Sequence, residues 1–189
     1  MMYFQEQLKQ ETKTYHHKIE TAPLLKKVID ANITLDEYRL LINKFYSYIK
    51  PCEILIQHLS CRDLLLNREK TPLLEQDLIV LGMDKNALEE MTQCVHLPVL
   101  VEREHVLGYL YVIEGSTLGG QVISHILHAT LQLTPATGIR YFNGYGEDTK
   151  IFWEHFCHLL NATIEHGQQI KIINSVNQTY TTLYDWILN

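Results

Sequence analysis

Residues 109–123 read YLYVIEGSTLGGQVI, and the two halves of that segment pull in opposite directions. Its apolar flanks, free of turn signals, are those of a buried helix, yet Gly115, Gly119 and Gly120 each cost a helix about 1 kcal/mol relative to alanine. At about 100° per residue, Gly115, Ser116, Gly119 and Gly120 fall on one side and leave that face almost without side chains. Such a face admits either a tightly packed neighbouring helix or a flat, rigid ligand lying against backbone atoms. Adjacent glycines also loosen the hydrogen-bond ladder, so a kink at 119 and 120 is expected, and a kinked helix can wall a pocket.

The same helix is expected to run outward from about residue 101 to about residue 133, between Leu97-Pro98 and Thr134-Pro135. Before it, Met2 to Glu20 reads as a helix with an apolar stripe of Phe4, Leu8, Tyr15 and Ile19. Pro23 opens a short helix through LLKKVID, with Asn32 as its stop. Thr34 to Glu37 is a capping box, opening a helix that carries Tyr38, Leu41, Ile42, Phe45 and Ile49 toward the core until Pro51 kinks or ends it. Thr71-Pro72 starts another helix, Gly82 stops it, and Asp84 can cap the next. Beyond the glycine helix, TGIRYFNGYGED at 137–148 reads as the longest loop. Asp148 or Thr149 then starts a helix with Phe152, Phe156, Leu159, Leu160 and Ile164, and a last helix covers Val176 to Leu188. No period-2 strand, repeat, low-complexity tract or linker interrupts this pattern. The expectation is a single domain over residues 1–189, an all-α bundle of about seven or eight helices.

With 189 residues, 46% of them hydrophobic and 20% charged, the chain is sized for one core. The net charge of −6, without a Lys/Arg cluster, argues against nucleic acid as a principal partner. No apolar stretch approaches the length of a membrane span, and MMYFQEQLKQETK is amphipathic and charged rather than signal-like, so a cytoplasmic protein is expected. Cys52, Cys61, Cys94 and Cys157 contain no C-x-x-C spacing and read as reduced, structural thiols.

The ten histidines raise the question of a metal. His125/His128 and His155/His158 are i,i+3 pairs without a matching carboxylate set. His16 lies at the edge of the first helix's apolar stripe, whereas His17 points to its polar side. His16 can therefore reach a buried pocket, and Glu20, one turn on, can accept its other ring N–H and set the tautomer. A satisfied flank histidine is the plainer alternative. An imidazole on one helix facing a bare helix face on another is also how a helical protein sandwiches a haem.

The segments ETKTYHHKIE (11–20) and EGSTLGGQVI (114–123) resemble the haem oxygenases, most closely the bacterial biliverdin-forming type found alongside phytochromes. NGYGEDTKIFWEHF (143–156) is similar to those bacterial proteins too. The resemblance implies a haem-oxygenase-like bundle with haem between the first helix and a Gly-kinked distal helix. It makes His16 the proximal iron ligand and Glu20 the carboxylate beside it. Gly115, Ser116, Gly119 and Gly120 become the catalytic segment of the distal helix, and Lys9 the contact for a haem propionate. The implied reaction opens haem, which is both substrate and cofactor, to biliverdin, releasing CO and ferrous iron and consuming O2. No flavin or nicotinamide fingerprint is present, so electrons would come from an external donor, a ferredoxin or another reductase. A biliverdin-binding phytochrome is the implied recipient.

Two departures qualify the resemblance. Mammalian-type members carry an aspartate where this chain has Ser116, and a hydroxyl is a poor proton source, so the proton relay is unassigned. After Lys150 no Lys or Arg occurs before Lys171, which leaves open the meso carbon attacked. Two further readings stand beside the enzyme. A non-catalytic haem-binding or haem-transfer protein would suit Ser116, and a di-iron carboxylate oxidase would need two E-x-x-H sets, of which Glu102-x-x-His105 is one.

Overall fold

Signals at the helix ends set most of the boundaries. The computed structural model describes residues 4–162 and 165–189, and among them it has nine α-helices and no strand. The first, α1 (Phe4–Glu20), buries Phe4, Leu8, Thr12 and Ile19, while Tyr15 of the expected stripe stays 38% exposed. Pro23 opens α2 (Pro23–Ile29), and the chain leaves it through Ala31 at φ 55°, one residue before the expected stop at Asn32.

The capping box of α3 (Leu35–Gln57) is complete: the Glu37 N–H donates to Thr34 Oγ1 at 3.3 Å, and the Thr34 N–H donates to Glu37 Oε2 at 2.9 Å. All five expected core residues of this helix are buried. Pro51 does not end it, because buried Ile49, Cys52 and Ile56 hold the helix on both sides of the one hydrogen bond the ring removes. Helix α4 (Thr71–Val80) stops before Gly82, at φ 97°, and Asp84 caps α5 (Lys85–Glu89) by accepting the Asn86 N–H at 2.7 Å.

The glycine helix, α6 (Arg103–Leu131), is unbroken through 119 and 120, so the expected kink does not interrupt its ladder. It packs along α9 (His166–Leu188). At Gly108 the two pack tightly: an added Cβ would lie 2.5 Å from Ser175 Cβ.

The segment 137–148 is less of a loop than expected: it holds α7 (Arg140–Asn143) and a 3-10 turn at Gly146–Asp148. The helix has its cap from afar, since Asp77 on α4 accepts the N–H groups of Arg140 and Tyr141 at 2.8 Å each. Next comes α8 (Thr149–Asn161), burying Phe156 and Leu160; the expected Ile164 lies outside the described residues. The last helix starts at His166 rather than Val176, because Glu165 and Gln168 form a capping box with a glutamate where Ser or Thr is usual.

Around α6 the bundle closes with α1 on α9, α7 and α8 on α6, and α3 on α4. All four cysteines are free and buried, and burial pushes their thiols above the ordinary range. No helix among the described residues is long and apolar enough to cross a membrane.

Candidate functional site

Two cavities meet at His16. One, about 450 Å³, is bordered by Lys9, Lys13, Tyr111, Gly115 and Trp153; the other, about 390 Å³, by Glu20, Phe45, Ser116, Gly119, Gly120, Tyr141 and Phe142. His16 and Tyr180 border both. Helix α1 thus faces α6 across a divided cleft, with α7 closing one end and α8 the other.

The His16 ring stands edge-on to Tyr180, with centroids 5.7 Å apart at 89°, and its side chain is 55% exposed. Its Nδ1 is 3.6 Å from Glu20 Oε1, beyond hydrogen-bond range, while His17 Nδ1 is 3.8 Å from the other oxygen of the same carboxylate. Glu20 is therefore shared between two imidazoles rather than dedicated to His16. With Nδ1 turned to Glu20, Nε2 is the nitrogen available to a ligand. Lys9 borders the cleft, and Lys13, one turn on, joins it there. The sequence reading passed over Lys13, although its i+4 spacing from Lys9 was the signal.

The three glycines of the motif have three different surroundings. At Gly119 an added Cβ would meet nothing within 4 Å; at Gly115 it would touch the Trp153 ring at 3.5 Å; at Gly120 it would lie 2.7 Å from the Phe142 carbonyl oxygen. Close packing explains Gly120, and open space toward the cavity is the finding at Gly119. The packing reading of the bare face holds at Gly120, against α7, while the face at Gly119 is open. Beside them, Ser116 Oγ donates to the Ile113 carbonyl at 2.7 Å. Tyr141 borders the same cavity; burial pushes its pKa up and Ser116 opposes that rise.

Behind this wall lies a buried ionic cluster that the sequence reading missed. Glu114, 1% exposed and directly before Gly115, accepts from Lys70 Nζ at 2.6 Å, from Arg68 Nη1 at 3.0 Å and from the Tyr145 hydroxyl at 2.9 Å. Burial pulls the Lys70 ammonium below the ordinary lysine range while Glu114 opposes that fall. A glutamate ending the apolar run YLYVIE signals a buried partner, but nothing local names Lys70 or Arg68. Tyr145 in turn stacks on Phe152 at 3.9 Å, tying the cluster to α8.

The histidine pairs hold no metal set. His125 Nδ1 contacts the Gln121 carbonyl at 2.6 Å and His128 Nδ1 the Leu133 carbonyl at 2.9 Å. Among the described residues no group of three His, Cys, Asp or Glu side chains could hold a metal ion. Glu102 accepts from Lys171 Nζ at 2.9 Å and lies 3.8 Å from His105 Nδ1, and the described residues place no further carboxylate or histidine set around them.

A family model described as "Heme oxygenase" matches residues 2–188. No curated protein matches the sequence. Among solved structures the fold is similar to that of heme oxygenase from Leptospira interrogans, with TM-score 0.80, 13% identity and 99% of each chain covered. It is also similar to heme oxygenase-2 from Synechocystis in complex with heme and NO, with TM-score 0.82, 16% identity, and 98% of this chain and 84% of that one covered. A domain of unknown function from Shewanella denitrificans shares the fold as well, with TM-score 0.77, 12% identity, and 99% and 91% covered.

Proposed function

We propose that this chain, which belongs to the haem oxygenase family, holds haem between α1 and α6 and opens it oxidatively to biliverdin, releasing CO and ferrous iron. The observation that carries this reading is the single imidazole, His16, bordering both cavities across from the open face at Gly119.

The residues fit such a group. Cavities of about 390 and 450 Å³ are in the size class of cofactor sites. Phe45, Val112, Ile123 and Phe142 offer apolar contact to a macrocycle, and Lys9 and Lys13 offer point charges to its carboxylates. His16 Nε2 would hold the iron, with Glu20 biasing the ring's other nitrogen toward N–H. An imidazole donates less electron density to iron than a thiolate does. Bound haem would supply the redox chemistry, with O2 as oxidant and electrons from an external donor, a ferredoxin or another reductase. The chain's own part is to seat the ring, exclude water with apolar walls, and present hydroxyl groups at Ser116 and Tyr141. We assign it the cytoplasm, where four free thiols stay reduced, action as one domain over 1–189, and a biliverdin-binding phytochrome as a recipient of the product.

The test is to add reductant to the hemin-loaded protein in air. Loss of the haem band with growth of a biliverdin band and release of CO supports the enzyme. Haem that survives reductant and O2 supports the haem-transfer reading instead, which is favoured by Ser116 standing where an acid would be.

A further inference from the structure

Helix α8 faces the cavity of Lys9 and Lys13 with Trp153, and the sequence has no Lys or Arg between Lys150 and Lys171. The indole edge would just touch a Cβ placed at Gly115, at 3.5 Å, and the ring lies 5.6 Å from that of Tyr111. The charged side of this cavity is therefore α1, and the bulky apolar side is Trp153.

That indole is held from behind. Phe152 and Phe156, one turn apart on α8, stand on either side of Trp153 in the chain. Phe152 stacks on Tyr145 at 3.9 Å, and the Arg68 guanidinium carbon lies 5.5 Å from the Phe156 ring centre, a cation–π distance. Phe156 in turn packs on Trp153 at 5.8 Å. Tyr145 and Arg68 belong to the buried cluster, where Lys70 Nζ donates to Glu114 at 2.6 Å, to the Tyr145 hydroxyl at 2.7 Å and to the Arg68 carbonyl at 2.7 Å. All the N–H groups of that ammonium are spent inside the cluster. Apolar residues of similar volume commonly stabilise a fold as well as a buried ion pair does, so such a cluster suits a positioning task better than a stabilising one.

We propose that Trp153 decides which way round a flat tetrapyrrole lies in the cleft, and that the cluster of Glu114, Lys70, Arg68 and Tyr145 is the positioning group that holds the indole for this. The proposal rests on the reading of the cleft as a haem site. Haem turned over about the axis between its propionates returns those carboxylates to the same place, so Lys9 and Lys13 bind both seatings alike. The turn exchanges methyl and vinyl groups along the ring edge, which differ by one carbon. A difference of that size is worth about tenfold or more against a firm apolar wall, and the cluster supplies the firmness. Seating sets which ring edge reaches the open face at Gly119, the question left by the missing basic residues of α8.

Hemin complexes of the parent, Trp153→Leu, the paired variant Lys70→Met/Glu114→Leu and Tyr145→Phe are compared, after equilibration, by proton NMR of the hemin methyl groups, beside hemin titration and thermal unfolding. The parent is expected to show one dominant set of methyl resonances, with a second seating at about a tenth or less. Two sets within about threefold of each other are expected in Trp153→Leu and in the paired variant, the indole being absent in one and unheld in the other. The paired variant is expected to keep hemin affinity within about threefold of the parent, since apolar residues replace the buried charges. Tyr145→Phe keeps the stack on Phe152 and loses only the hydroxyl, so it carries the test of the cluster if the paired variant does not fold; its minor set is expected to grow by about threefold. Parental seating in Trp153→Leu overturns the role of the indole. Parental seating in the folded cluster variants reduces the cluster to a structural support and overturns its positioning role. Two comparable seatings in the parent overturn both. A parent that binds hemin without consuming it defeats the proposed activity, while the methyl resonances still decide the seating. A parent that takes up no hemin defeats both readings.

Discussion

Gly119 and Gly120 are neighbours in the chain, yet their missing side chains serve different ends. A methyl at 120 would press within 2.7 Å of the Phe142 carbonyl, a backbone atom fixed by α7, whereas one at 119 would meet nothing within 4 Å. Gly120→Ala is therefore expected to destabilise the protein by about 1–3 kcal/mol, the usual cost of overpacking. Gly119→Ala is expected to be neutral or to stabilise the free protein by up to about 1 kcal/mol through helix propensity. Thermal unfolding of the two variants measures both. Equal losses would contradict the division of labour between the two positions. Gly119→Leu extends the same argument, since it should leave folding intact and weaken hemin uptake by filling the face His16 looks toward. His16 itself was legible because its place at the edge of an apolar stripe is a matter of spacing on one helix. Tyr141 was not, because its place on the cavity wall depends on a short helix capped by Asp77, 64 residues away.

The elements show where local signals suffice and where they fail. The Thr34–Glu37 box and the Asp84 cap are written within four residues, and the structure has both. α7 is capped by Asp77, 63 residues earlier than Arg140, so its sequence read as loop. α9 begins at a glutamate cap that is outside the common set. Pro51 was read as a kink or an end, but a proline costs one ladder bond, packing on both sides can carry it, and the helix runs on to Gln57. Asp77 also makes α7 sensitive to pH. It is fully buried, and burial pushes its pKa from the ordinary 3.8 up to about 6 against the two N–H bonds that would lower it. A carboxyl whose pKa is raised on folding binds its proton more tightly in the folded state, so its stabilising effect is complete below 3.8 and is lost as pH rises through about 6. Relative to Asp77→Asn, the parent is expected to lose up to about 3 kcal/mol across that interval. Denaturant midpoints between pH 4 and pH 7 test this, and parallel curves for the two proteins would refute it.

Over the whole molecule, the all-α plan followed from periodicity, because every long helix has an amphipathic or capped signature of its own. The ionic cluster behind the site did not. Lys70, Arg68, Glu114 and Tyr145 come from three separate stretches, and only Glu114, stranded in an apolar run, hinted at burial. Breaking such a pair leaves a buried charge unmatched, so the cluster fixes α6 against the turn before α4 and the start of α8, and with it the register of the wall from Gly115 to Gly120. The cleft is thus framed by a rigid wall on one side and by α1, carrying a half-exposed His16, on the other. The central claim is that this imidazole holds haem across from that wall. Hemin titration of the parent and of His16→Ala, followed by optical spectra, tests it most directly. The account predicts one hemin per chain in the parent, with a histidine-ligated spectrum that the variant lacks and that added imidazole restores. An identical spectrum in the two proteins, or no uptake by the parent, would contradict it.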